Sequence, residues 1–133
     1  MGAKLDFEMQ QGARFAFSFI FEQQTGTGES TPVDLREVDG VFMTIKLNRR
    51  TEDVILDLHE QGYIWVEDAV NGVIKIDVPA EATEDIYYRT TAVYDIAIDF
   101  GRGNIIRPLH GLISFIPKVS EVIRQESQFR TSR

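Results

Sequence analysis

The sequence predicts an all-β protein, an antiparallel sandwich of seven or eight strands with one short helical turn, and three observations predict it. Apolar residues recur at every second position in several separate stretches, as in strands that bury one face. Turn signals rich in Gly, Asn and Asp interrupt those stretches at intervals of roughly 8 to 12 residues. Only Pro79-Ala80-Glu81-Ala82-Thr83-Glu84-Asp85 has the proline and early acidic residues that suit a helix start, and its length allows one or two turns. A small closed barrel is the competing architecture.

The elements follow in order. Arg14 to Glu22, RFAFSFIFE, is the first strong strand, with Phe15, Phe17, Phe19 and Phe21 on one face and Ala16, Ser18 and Ile20 on the other. Later strands offer matching apolar faces, so the Phe row is expected in the core, where Phe17→Ala or Phe19→Ala would cost about 3 to 5 kcal/mol. Residues 23–32, QQTGTGESTP, carry glycines and small polar groups that predict a flexible connection. Gly40 to Asn48 reads as a second long strand, with Val41, Met43, Ile45 and Leu47 on one face. Val54 to Leu58 and Tyr63 to Val66 are two short strands around Glu60-Gln61-Gly62 that could pair as a hairpin. Asn71-Gly72 is a turn dipeptide leading into a strand at Val73 to Val78. Thr91 to Phe100 is the third long strand, Gly101-Arg102-Gly103-Asn104 a hairpin turn, and Ile105 to Ile116 the return, in which Pro108 and Gly111 each suggest a bulge or an edge.

A chain of 133 residues suffices for one domain with a core of its own, and 43% hydrophobic with 26% charged residues is the composition of an ordinary globule. No apolar run approaches the roughly 18 residues of a membrane span, and the opening MGAKLDFEMQQ lacks the apolar centre of a signal peptide, so synthesis in the cytosol without a membrane partner is expected. The absence of cysteine excludes disulfides, thiolate nucleophiles and Cys-based metal sites. A net charge of −7 argues against general nucleic-acid binding, which needs clustered cations to displace counterions. Residues 118–133 hold four basic residues (Lys118, Arg124, Arg130, Arg133) and two acidic ones (Glu121, Glu126), a net of +2, which leaves −9 on residues 1–117. A β-sandwich domain over 1–117 trailed by a polar arm over 118–133 is the expected organisation, and head-to-tail contact between copies is electrostatically reasonable.

No catalytic constellation emerges. His59 and His110 lack a triad context. Asp95 and Asp99 share a strand face, yet at about 3.4 Å per residue they fall roughly 13 Å apart, too far for paired-carboxylate hydrolysis. Glu67-Asp68 and Glu84-Asp85 fall in turns, and Gly26-Thr27-Gly28 and Gly101-Arg102-Gly103 lack the strand-to-helix setting of a phosphate loop. Asp53 and Asp57 lack the dense oxygen pattern of a calcium loop. Neither a cofactor nor a metal is expected. Tyr63, Trp65, Tyr87 and Tyr88 could form a sugar platform, but Trp65 alternates with Ile64 and Val66, and burial between sheets is the expected place for it.

The order of features is more informative than any one of them. Gln11-Gly12 before an aromatic strand, then Pro32-Val33-Asp34-Leu35 and the strand at Val41 to Leu47, resembles the start of a small β-sandwich found among tailed-phage structural proteins. Gly72-Val73-Ile74-Lys75-Ile76 followed by Pro79-Ala80-Glu81-Ala82-Thr83, Val93-Tyr94-Asp95-Ile96, Arg107-Pro108-Leu109-His110-Gly111-Leu112-Ile113 and Pro117-Lys118-Val119-Ser120 continues the likeness, over roughly residues 5–120. It is similar to the immunoglobulin-like N-terminal domain of phage baseplate upper proteins and to stand-alone tail, baseplate or collar proteins of this size. The resemblance implies an immunoglobulin-like β-sandwich; apart from it, the Tyr94 hydroxyl could reach backbone much as a tyrosine corner does. It also implies a non-enzymatic virion protein, an adaptor assembled in the host cytoplasm that binds neighbouring virion proteins and its own copies through sheet edges and terminal arms. The short stretch after the domain favours an adaptor over a receptor-binding role. Lys118, Arg124, Phe129, Arg130 and Arg133 in the arm, with Thr25 and Thr27 in the polar loop, are the expected partner-binding residues. A neck, collar or capsid decoration protein, and a carbohydrate-binding module using Trp65 and nearby tyrosines, are the alternatives.

Overall fold

The period-two stretches form strands in the computed structural model, which describes residues 2–86 and 91–120. In chain order the strands are β1 (Ala3–Lys4), β2 (Phe7–Gln10), β3 (Phe15–Ile20), β4 (Glu22–Gln24), β5 (Ser30–Pro32), β6 (Gly40–Lys46), β7 (Val54–Asp57), β8 (Ile64–Asp68), β9 (Val73–Val78), β10 (Thr91–Asp99) and β11 (Ile105–Ile116). Helix among the described residues is confined to one α-turn, α1 (Leu58–Gln61), and a 3-10 turn at Ala80–Ala82, where the proline-led stretch predicts one. One sheet runs β1-β11-β10-β6-β7 with β2 also on β11; a second runs β3-β9-β8; β4 and β5 form a separate hairpin.

Both main sheets contribute to a single cluster of buried side chains. Val41, Met43 and Ile45 of β6 and Ala92, Tyr94, Ile96 and Ile98 of β10 meet Ile64 of β8 and Ile74, Ile76 and Val78 of β9. The Phe row faces this cluster but only half enters it. Phe15, Phe17 and Phe19 sit on β3, an outer strand, and pack against the rim, with Phe7 edge-on to Phe15 and Phe17 at centroid distances of 5.4 and 4.9 Å. Truncating them removes less buried surface than a core position would, and the full core cost expected from the alternation does not apply.

Three stretches depart from the sequence reading. Residues 23–32 are not a loose connection, because Glu22–Gln24 pairs with Ser30–Pro32. Val54–Asp57 and Ile64–Asp68 do not pair with each other: β7 joins β6 and β8 joins β9. The reason is local. Asp57 caps α1 by accepting the Glu60 N–H at 3.1 Å, and Gly62 closes the turn in the left-handed region at φ 78°, so the chain changes sheet where a hairpin would have reversed within one. The third departure is the N-terminus, whose strands β1 and β2 run parallel to β11 in an otherwise antiparallel sheet. The expected bulge in β11 is present, since Ile96 faces Leu109 and Ile98 faces Ile106, leaving Arg107 and Pro108 opposite Ala97 alone.

The break between β1 and β2 is fastened at Leu5 and Asp6. Leu5 N–H donates to the His110 carbonyl at 2.8 Å, the Asp6 carboxylate accepts the Leu112 N–H at 2.9 Å, and the Tyr94 hydroxyl donates to the Leu5 carbonyl at 2.6 Å. Gly111 lies under this crossing, and a side chain there would collide with the Leu5 carbonyl, so close backbone approach is what requires the glycine. Tyr94 thus bonds backbone as anticipated, but on the N-terminal strand rather than at a corner beside its own strand. Burial, and then the negative charge of Asp6, push the Tyr94 phenol above its ordinary range. A raised value means that its contribution is fully present below the ordinary tyrosine pKa of about 10 and is lost as pH rises toward the folded value. Tyr94→Phe is expected to destabilise the protein by about 1 to 3 kcal/mol at neutral pH. Denaturant titrations from pH 8 to 11 should also show a shallower alkaline loss of stability in this variant than in the wild type.

Candidate functional site

Thr25 and Thr27 sit at the exposed tip of the β4–β5 hairpin, where their hydroxyls share a hydrogen bond of 2.9 Å and the Thr25 N–H donates to the Glu29 carbonyl at 2.7 Å. Gly28 supplies the positive φ, 86°, that the turn needs. The hairpin therefore presents an ordered, polar tip. Lys118 is held against the body: its N–H donates to Gln11 Oε1 at 3.2 Å and its ammonium pairs with Glu84. Arg124, Phe129, Arg130 and Arg133 lie outside the described residues, as do Tyr87 and Tyr88.

Lys118 belongs to a polar node that the sequence did not reveal. Gln11 and Thr83 are both buried. Gln11 Nε2 donates to the Glu84 carbonyl at 2.9 Å, and the Gly12 N–H donates to Thr83 Oγ1 at 2.9 Å. Gln11 N–H also donates to the Ile116 carbonyl at 2.9 Å, so the β2–β3 turn, the 3-10 turn and the end of β11 meet at one point. Such buried polar groups are tolerable because they are partnered.

Trp65 is the main correction among the candidate residues. Ile64 takes the buried position on β8 and Trp65 is turned outward, 39% exposed, where period two alone could not choose between the faces. It borders an open groove of about 410 Å³ with Arg36, Val38, His59, Val66 and Ala69. His59 lies at this groove because α1 carries it there. Its Nδ1–H donates to the Val41 carbonyl at 3.0 Å, and its ring lies 4.2 Å from that of Phe42. Asp34 holds Arg36 with contacts of 2.6 to 3.0 Å, and those hydrogen bonds keep the Asp34 carboxyl below the usual range.

Asp95, Asp99 and Asp77 are each engaged separately. Arg107 pairs with Asp95 at 3.0 Å, Asp99 accepts the Gly101 N–H at 2.8 Å, and Arg14 grips Asp77 through Nε at 2.8 Å and Nη2 at 2.7 Å. Among the described residues no three His, Asp or Glu side chains converge. What the surface offers instead is a hairpin tip, an aromatic groove and two outer strands, β3 and β8, in the smaller sheet. No protein-family model matches the chain, and no curated protein matches it by sequence.

The node gives a direct check on the frame that carries these surfaces. Thr83→Ala leaves the Gly12 N–H without its acceptor and is expected to cost about 1 to 3 kcal/mol in a denaturant titration, whereas Thr83→Ser, which keeps the hydroxyl, should recover most of it.

Proposed function

We propose that the chain is an immunoglobulin-like β-sandwich module acting as a non-enzymatic virion protein of a tailed phage, an adaptor in the tail, baseplate or fibre-attachment region. The observation that carries the reading is the strand order. β3-β9-β8 against β11-β10-β6-β7 follows the order of the B, E and D strands against G, F, C and C′ in variable-type immunoglobulin domains. The likeness of the sequence to small phage sandwich domains supplies the virion setting. Modules of this kind bind through strand edges and projecting hairpins, and both are present here in exposed positions. The partners are neighbouring virion proteins and further copies of the chain, with neck, collar or capsid surface as alternative locations.

Removal of residues 119–133 leaves the Lys118 contacts in place and is expected to preserve folding while abolishing incorporation into particles, read by mass spectrometry of purified virions. Normal incorporation of the shortened chain would exclude the arm as the attachment element, and absence of the full-length chain from virions would exclude the virion reading altogether.

A carbohydrate-binding module is the second reading, and the outward turn of Trp65 into an open groove favours it. The protein has one Trp, so its emission reports that groove alone. Titration with host surface polysaccharide should leave the emission unchanged if the module is purely an adaptor, and a saturable shift that Trp65→Ala abolishes would establish glycan binding.

A further inference from the structure

Strand β3 pairs with β9 along one edge, and among the described residues no strand covers its other edge. The phase of the ladder shows which groups point outward. The Phe21 N–H donates to the Gly72 carbonyl at 2.8 Å, so by the alternation of the ladder Phe15, Phe17 and Phe19 direct their backbone groups toward β9, and Ala16, Ser18 and Ile20 direct theirs to the open side. Natural sheets blunt such edges with lysine, proline or a bulge. From Phe15 to Ile20 none of these occurs, and the ladder with β9 runs without a register shift. Beneath the edge the half-buried Phe17 and Phe19 border an open groove of about 520 Å³ with Leu5, Ile106 and Leu109.

We propose that β3 pairs antiparallel with β3 of a second copy about a two-fold axis through Ser18, joining two three-stranded sheets into one of six strands. The sequence RFAFSFIFE is near-symmetric about Ser18, with Phe17 matching Phe19, Ala16 matching Ile20, Phe15 matching Phe21, and Arg14 matching Glu22. An isologous antiparallel pair sets each residue opposite its mirror position. In this register Ser18 faces Ser18 and Ala16 faces Ile20, which brings the outward backbone groups together. The Phe rings meet Phe rings on the inner face, and each Arg14 meets a Glu22 on the outer one. Shifting the axis to Phe17 places Arg14 against Ile20 and Glu22 against Gly12. Shifting it to Phe19 places Arg14 against Gln24 and Glu22 against Ala16, so only the Ser18 register pairs the opposite charges. Arg14 is prepared for the contact, because Asp77 holds its guanidinium at the sheet surface through Nε and Nη2 while the side chain stays 65% exposed.

This inference stands apart from the virion reading, since it needs only the chain itself. Sedimentation equilibrium of the full chain over a wide concentration range is expected to show a monomer–dimer equilibrium. Arg14→Glu and Glu22→Arg each place like charges at both ends of the pairing and should weaken association about tenfold. An equimolar mixture of the two variants sets opposite charges at every facing position and should restore it. Ser18→Pro removes an outward N–H without touching the β9 ladder and should abolish association, with circular dichroism confirming that each variant is folded. A wild type that is monomeric at all concentrations would overturn the proposal, as would charge variants that associate like the wild type or a mixture that fails to recover. A full chain that dimerises only after residues 119–133 are removed would place its own arm on the edge, and would overturn it too.

Discussion

The carbonyl of Leu5 accepts the Tyr94 hydroxyl where the N-terminal strand crosses β11, and the edges of both sheets follow from that contact. An N-terminal strand beside β3 would have closed the smaller sheet. Here Gly111 clears the path, Asp6 caps Leu112, and β1 and β2 are committed in parallel to β11 instead. The larger sheet gains its outermost strands, and among the described residues β3 is left as an edge, with the backbone groups of Ala16, Ser18 and Ile20 directed outward.

The opposite end of the molecule is fixed by different chemistry. Gln11 and Thr83 are buried polar residues whose hydrogen bonds join the β2–β3 turn to the 3-10 turn and, through Lys118, to the chain leaving β11. These bonds are directional, so the turn at Gln11-Gly12 sets where β3 begins and how its Phe row approaches the core rim. A phenol on a carbonyl at one end and a buried amide and hydroxyl at the other thus position a strand whose ladder, among the described residues, runs to β9 alone.

Strand content was legible wherever one face is buried and the other is not. Gly40–Lys46, Val73–Val78 and Thr91–Asp99 were readable because Val, Met and Ile alternate with polar residues there, and Pro108 announced its bulge because proline cannot serve a central ladder. Pairing partners were not legible. Whether Val54–Asp57 meets Ile64–Asp68 depends on a four-residue turn whose cap and left-handed glycine look much like hairpin punctuation in sequence. Leu5, Phe7 and Met9 alternate with Asp6, Glu8 and Gln10, so the strand state of the N-terminus was legible in principle; its division at Leu5-Asp6 and its parallel pairing with β11 were not. Thr25 and Thr27 fall in a stretch that reads as a flexible polar connection, and its pairing as a hairpin was hidden, since Gln and Thr carry no apolar period. Trp65 was misassigned because Ile64 and Val66 made either face plausible, and the choice is made by Ile64 facing Ile76 across the ladder.

An unguarded aromatic edge is hazardous in an isolated chain and useful in one that assembles, and the same geometry serves both statements. The most direct test of the account is residue-resolved amide hydrogen exchange on dilute protein. If the N-terminal strand is committed to β11, the Ala16, Ser18 and Ile20 amides should exchange at least about a hundredfold faster than those of Phe17 and Phe19. Equal and strong protection of both sets in the dilute monomer would mean that another segment of the chain already occupies the β3 edge, and would contradict the account.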